Sequence, residues 1–87
     1  MKLEPVFVDR VRRFSLDVDK ETGRTFVAIS VRNRMVEYDE WYEVDQATFE
    51  SYKADPTLAH DFVGKAKRRE LDHLLLYKPG TDRGVAD

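Results

Sequence analysis

Chemistry in this chain would have to begin at one of its two histidines, His60 and His73, and both stand near carboxylates. Glu70-Leu71-Asp72-His73 contains the Glu-x-x-His spacing that lets one helix face offer two ligands to a di-iron centre, but such a centre needs a second copy and further carboxylates from other helices. The sequence has one copy. If both histidines lie on one helix, their thirteen-residue separation spans about 20 Å, too far to share an ion. Cysteine is absent, which removes the thiolate as ligand or nucleophile. A serine nucleophile would be Ser15, Ser30 or Ser51 beside a base; Ser15 and Ser30 fall within strand-like stretches with no glycine-rich elbow to expose them. Carboxylate pairs are plentiful among Glu37, Asp39, Glu40, Glu43, Asp45 and Glu50, the raw material of glycoside hydrolysis, but so short a chain has little room for the cleft that would separate their pKa values. Gly23, Gly64, Gly80 and Gly84 are scattered and make no phosphate loop. The expectation is no catalytic residue, no metal and no cofactor.

Binding residues are easier to find. Lys65, Lys67, Arg68 and Arg69 form a basic run, joined in composition by Arg10, Arg12, Arg13, Arg32 and Arg34, and could meet phosphates. Six acids and no Lys or Arg lie between Met35 and Tyr52, and the formal net charge is -2, so no overall pull toward nucleic acid or an anionic membrane is expected. No aromatic-flanked basic motif and no helix-turn-helix spacing appears.

The elements that must position these residues follow from periodicity. Phe14, Leu16 and Val18 alternate with polar neighbours, and Val27, Ile29 and Val31 alternate with Phe26, Ala28 and Ser30, so two strands with one buried face are predicted around a turn at Asp19 to Gly23. A hairpin centred on Asn33 and Arg34 would pair Val31 with Val36, Ile29 with Tyr38, Phe26 with Trp41 and Arg24 with Glu43. It leaves Glu40 misplaced on the apolar side, opposite Val27, tolerable mainly near an edge. Leu3 to Val11 reads as a leading strand or an extended arm.

Asp45 is a helix cap with Val44 and Phe49 spaced as a hydrophobic staple, which predicts a short helix from Gln46 to about Lys53. Asp55-Pro56 opens a second helix expected to run to Tyr77, with Leu74 to Tyr77 as a fourth strand in the alternative. Its core stripe is Leu58, Ala59, Phe62, Val63, Ala66, Leu74, Leu76 and Tyr77, whereas Leu71 and Leu75 project to the other side with Gly64. The run Tyr38 to Phe49, leading to Ala54-Asp55-Pro56, loosely resembles the strand-then-helix layout of the small domain at the end of some lysyl-tRNA synthetases. That likeness covers under a third of the chain, lacks the family's terminal glycine and aromatic pattern, and implies no function.

With 87 residues, 41% hydrophobic and 37% charged, one core is expected. The predicted fold is α+β: a three-stranded antiparallel meander, or four-stranded with the amino-terminal arm, packed on one face by a short helix and a longer carboxy-terminal helix. Residues 1–80 would form a single domain and 81–87 a flexible tail. Met1 to Pro5 lacks the apolar stretch of a secretory signal and no apolar run reaches membrane-spanning length, so a cytoplasmic protein with no membrane partner is expected. The functional expectation is a non-enzymatic interaction or assembly module that self-associates as a homodimer or takes a protein partner, through Phe26, Trp41, Gly64, Leu71 and Leu75. The alternative is a nucleic-acid-binding module using Lys65, Lys67, Arg68 and Arg69.

Overall fold

A computed structural model describes residues 1–80 and 83–86. The chain forms an antiparallel five-stranded sheet and two helices, an α+β arrangement. The strands are β1 (Leu3–Asp9), β2 (Phe14–Asp19), β3 (Thr25–Arg32), β4 (Glu37–Val44) and β5 (Val85–Ala86); the helices are α1 (Gln46–Ala54) and α2 (His60–Lys67). Strands β1 to β4 lie side by side in chain order, and β5 pairs with β3 at Val31 and Arg32, just beyond the last residues that β2 pairs. No helix is long and apolar enough to cross a membrane among the described residues.

The amino-terminal arm is therefore a strand, and its outer edge is blunted. Pro5 has no amide hydrogen to offer, and a bulge between Pro5 and Phe7 breaks the ladder, two devices that discourage pairing with a further strand.

The β3–β4 hairpin is wider than a turn centred on Asn33 and Arg34. Val31 pairs with Tyr38, Ile29 with Glu40 and Ala28 with Trp41, two residues out of the predicted register. The cause is Asn33. Its Oδ1 accepts from the amides of both Met35 and Val36, while its own N–H donates to the Val36 carbonyl, so four residues close the loop without forcing Arg34 into a left-handed conformation. A slip of two preserves parity, so each residue keeps its face.

Helix α2 ends at Lys67, ten residues short of the predicted Tyr77. Arg69 sits in the left-handed region at φ 62°; its N–H donates to the Ala66 carbonyl and that of Glu70 to the Lys65 carbonyl, a Schellman stop with arginine where glycine is usual. The chain then turns back along β4: Leu75 makes an isolated bridge to Tyr42, and the Leu76 N–H donates to the Trp41 carbonyl at 2.8 Å. The strand alternative for Leu74 to Tyr77 is thus realised as one bridge.

The core joins Leu16, Val27, Ile29 and Tyr42 of the sheet to Phe49 of α1 and Val63 and Ala66 of α2. Leu71, Leu74 and Leu75 pack against it, whereas Leu58 and Tyr77, expected inside, are exposed. Thr81, Asp82 and Asp87 of the expected tail lie outside the described residues. Arg83 to Ala86 is docked: the Arg83 guanidinium meets Glu40 at 2.9 Å and Asp72 at 2.8 Å, and the Gly84 N–H donates to the Tyr38 hydroxyl at 2.6 Å. A Cβ at Gly84 would lie 2.7 Å from the backbone of Arg32, so this approach needs glycine. Glu40, the sequence misfit, is buried on the apolar face because Arg83 neutralises it and the Tyr42 hydroxyl donates to it at 3.0 Å.

Candidate functional site

Both helices pack on one face of the sheet, so no helix covers the other. Strand alternation sends Ser15 and Asp17 of β2, Phe26, Ala28 and Ser30 of β3, and Asp39, Trp41 and Glu43 of β4 to that outer face. Across one row of the sheet Val8, Ser15, Ala28 and Trp41 are successive partners. Alanine in that row is the low point between larger neighbours, and a groove of about 450 Å³ opens over it. A second hollow of about 630 Å³ lies on the far side of β4, between Tyr38, Tyr77 and Pro79. Asp39 and Trp41 line both.

The groove's polar groups are ordered by one another. Asp17, buried although it is a carboxylate, accepts from the Ser15 hydroxyl at 2.6 Å and from the Trp41 indole N–H at 2.9 Å. That bond fixes the indole, and Tyr77 meets its ring edge-on at 6.4 Å. Glu37 accepts from the Ser30 hydroxyl at 2.9 Å and pairs with Arg13 and Arg32. The Ser30 hydroxyl and its two guanidinium neighbours hold the Glu37 carboxyl below the ordinary range. Asp39 is different: its exposed carboxylate makes no hydrogen bond or ion pair among the described residues. Desolvation by the surrounding protein, with Asp17 and Glu37 adding repulsion, pushes its carboxyl above the ordinary range. A carboxylate so placed gains by acquiring a cation.

Of the five residues expected to carry an interaction, Phe26, Trp41, Gly64, Leu71 and Leu75, Trp41 alone lines this groove, together with Ser15, Ser30, Glu37 and Asp39, which the sequence offered for chemistry. Phe26 lies on the same face but is completely buried, with the Arg24 guanidinium 5.4 Å from its ring centre and clamped there by Glu43 at 2.6 and 3.0 Å. Leu71 and Leu75 pack, partly buried, against the chain's own core, because the chain turns at Arg69 and does not carry them along a helix. Gly64 lies within α2, and a Cβ there would come 3.2 Å from the Arg68 side chain. The basic run is engaged inside the chain: Lys65 pairs with Asp61 and Arg68 with Glu70, while Lys67 donates to the Arg12 carbonyl and Arg69 to the Gly84 carbonyl.

The histidines do not meet the hydroxyls. His60 stacks edge-on against Phe14 and His73 is exposed on a short 3₁₀ turn, whereas Ser15 and Ser30 bond carboxylates and Ser51 bonds the Ala47 carbonyl. No group of three or more His, Cys, Asp or Glu side chains able to hold a metal ion is found among the described residues. Sequence reasoning missed Asp17 and Ala28 as site residues and took Asp39 only as one of many paired carboxylates, although the alternation that put Ser15 and Ala28 on the polar face already carried the signal: a small residue flanked by larger ones makes a depression. Comparison with known protein families, curated proteins and solved structures finds no match to this chain.

Proposed function

We propose that the protein is a non-enzymatic binding module whose working surface is the outer face of the sheet, and that its partner is an extended polypeptide segment carrying a basic side chain. The observation that supports this reading is Asp39, a carboxylate without a cation, beside a rigidly held Trp41 at the junction of two hollows. A lysine or arginine entering there gains a charge partner and an aromatic face, and cation–π contact contributes about 0.5–2 kcal/mol. The hollows on either side continue the track along which the rest of a segment would lie, with Leu3, Pro5 and Val8 as its apolar bank.

Self-association through Phe26 is disfavoured because that side chain is fully buried within one chain, and Leu71 and Leu75 are already partly buried against its core. Nucleic-acid binding through Lys65 to Arg69 is disfavoured because each cation has an internal partner.

Selection from a random peptide display library tests the proposal. Wild-type protein should enrich sequences containing Lys or Arg, and the enriched peptides should bind neither Trp41→Ala nor Asp39→Asn. Absence of enrichment, or equal binding to the two variants, rules the proposal out.

A further inference from the structure

We infer that the end of the sheet bearing the β1–β2 and β3–β4 loops docks on an anionic lipid bilayer. In an antiparallel meander these two loops emerge at the same end, and the structure ties them together: the Arg13 side chain reaches Ser30 and Glu37, and the Ser30 N–H donates to the Arg13 carbonyl. The β1–β2 loop lifts one apolar side chain into solvent and the β3–β4 loop two. Val11 is 86% exposed and Met35 is 81% exposed; Val36, and Val85 beside Arg32, are also exposed. Apolar side chains of this size, grouped at one pole, mark a surface that is covered in use.

Their exposure is built in. Asp9 Oδ1 accepts from the amides of Val11 and Arg12 at 2.9 Å, and Asn33 Oδ1 accepts from those of Met35 and Val36 at 2.8 Å. The side chains at these two tips are therefore presented by braced turns, so inserting them into a bilayer requires little ordering of the loops.

Among the described residues the cations at the tips outnumber the carboxylates. Arg10, Arg12 and Arg34 are exposed beside the apolar residues, and the Lys67 ammonium is drawn in against the Arg12 carbonyl. Arg10 and Arg34 make no ion pair among the described residues. The two carboxylates bonded to these loops are already committed, Asp9 to the turn amides and Glu37 to Arg13 and Arg32. A formal charge of -2 over the whole chain conceals this pole. Cations ringing protruding valine and methionine match a bilayer, whose headgroups are anionic and whose interior is apolar. A nucleic acid would satisfy the cations and leave the apolar tips in water, and no aromatic side chain stands at these tips for bases to stack on.

Each surface-facing arginine is expected to raise affinity for an anionic membrane about fivefold. Co-sedimentation with vesicles of phosphatidylcholine alone, or with about 30% phosphatidylserine, tests the inference at low and high salt. The protein should pellet with the phosphatidylserine vesicles alone, and less at high salt. Arg10→Gln with Arg34→Gln should lower affinity about 25-fold. Val11→Asp or Met35→Asp should each lower it at least about tenfold, at exposed positions where the thermal transition should not move. Trp41→Ala should leave vesicle binding unchanged, which separates this surface from the groove. Failure to pellet, or pelleting indifferent to the two aspartate variants, overturns the inference. So does a duplex oligonucleotide that displaces the vesicles from wild type and binds Val11→Asp equally well.

Discussion

Replacing Arg83 by methionine should cost far more stability than the position of residue 83, four from the end of the chain, would suggest. The Arg83 and Glu40 side chains are 11% and 8% exposed, and the guanidinium offers bonds of 2.9 and 3.2 Å to Glu40 and of 2.8 and 2.9 Å to Asp72. Removing it leaves Glu40 charged on the apolar face with, among the described residues, only the Tyr42 hydroxyl as side-chain donor. Stranding one partner of a buried pair costs about 3–5 kcal/mol, and the residual exposure argues for the lower figure, about 3 kcal/mol. A domain of this length has about 4–13 kcal/mol in all, so the loss is a large fraction, and the melting temperature should fall by roughly 12–24 °C. Adding Glu40→Leu removes the stranded charge. Chemical denaturation of the wild type, both single variants and the double variant measures the coupling, and the double should recover most of the stability that Arg83→Met loses. Additive losses, or a cost for Arg83→Met below about 1 kcal/mol, would refute the reasoning and return the carboxy-terminal segment to the status of a loose tail.

Acid should act in part through Asp19, whose carboxyl accepts from the Thr22 hydroxyl and the Lys2 and Glu21 amides and is held down to about 2 from 3.8. A depressed folded-state pKa stabilises above the unfolded value and is lost as pH falls from about 4 through 2, so the gap in melting temperature between wild type and Asp19→Asn should close over that interval. A constant gap would contradict the assignment. Arg69→Gly should relieve the left-handed strain at the end of α2, worth about 1 kcal/mol, against loss of the bond from its guanidinium to the Gly84 carbonyl at 3.1 Å. An unfolding free energy from chemical denaturation that is unchanged or slightly raised is expected, and one lowered by more than about 1 kcal/mol would show that the tether outweighs the strain.

The strand faces were legible because period-two alternation survives a register shift of two: Ile29 and Tyr42 are inside and Trp41 is outside although every predicted pair was displaced. The shift itself was not legible, since it depends on the Asn33 side chain bonding two amides at once. The end of α2 was hidden because the αL position carries Arg69, and a glycine there would have announced it. Glu40 was visible as a misfit, but its partner lies 43 residues away in a segment whose glycine and polar composition reads as a tail. The groove was half legible. Alternation named Ser15, Ala28 and Trp41 as outward, and only the observed register aligned them into a depression with Asp39 beside it.

Amide chemical shifts of the folded protein, followed as a basic peptide recovered by the display selection is added, test the outer-face site most directly. The Trp41 indole N–H and the amides of Ser15, Ala28 and Asp39 should move together and saturate, while those of Lys65 to Arg69 and Leu71 to Leu75 stay still. Movement concentrated on the α2 basic run, with the Trp41 indole unchanged, would contradict the account.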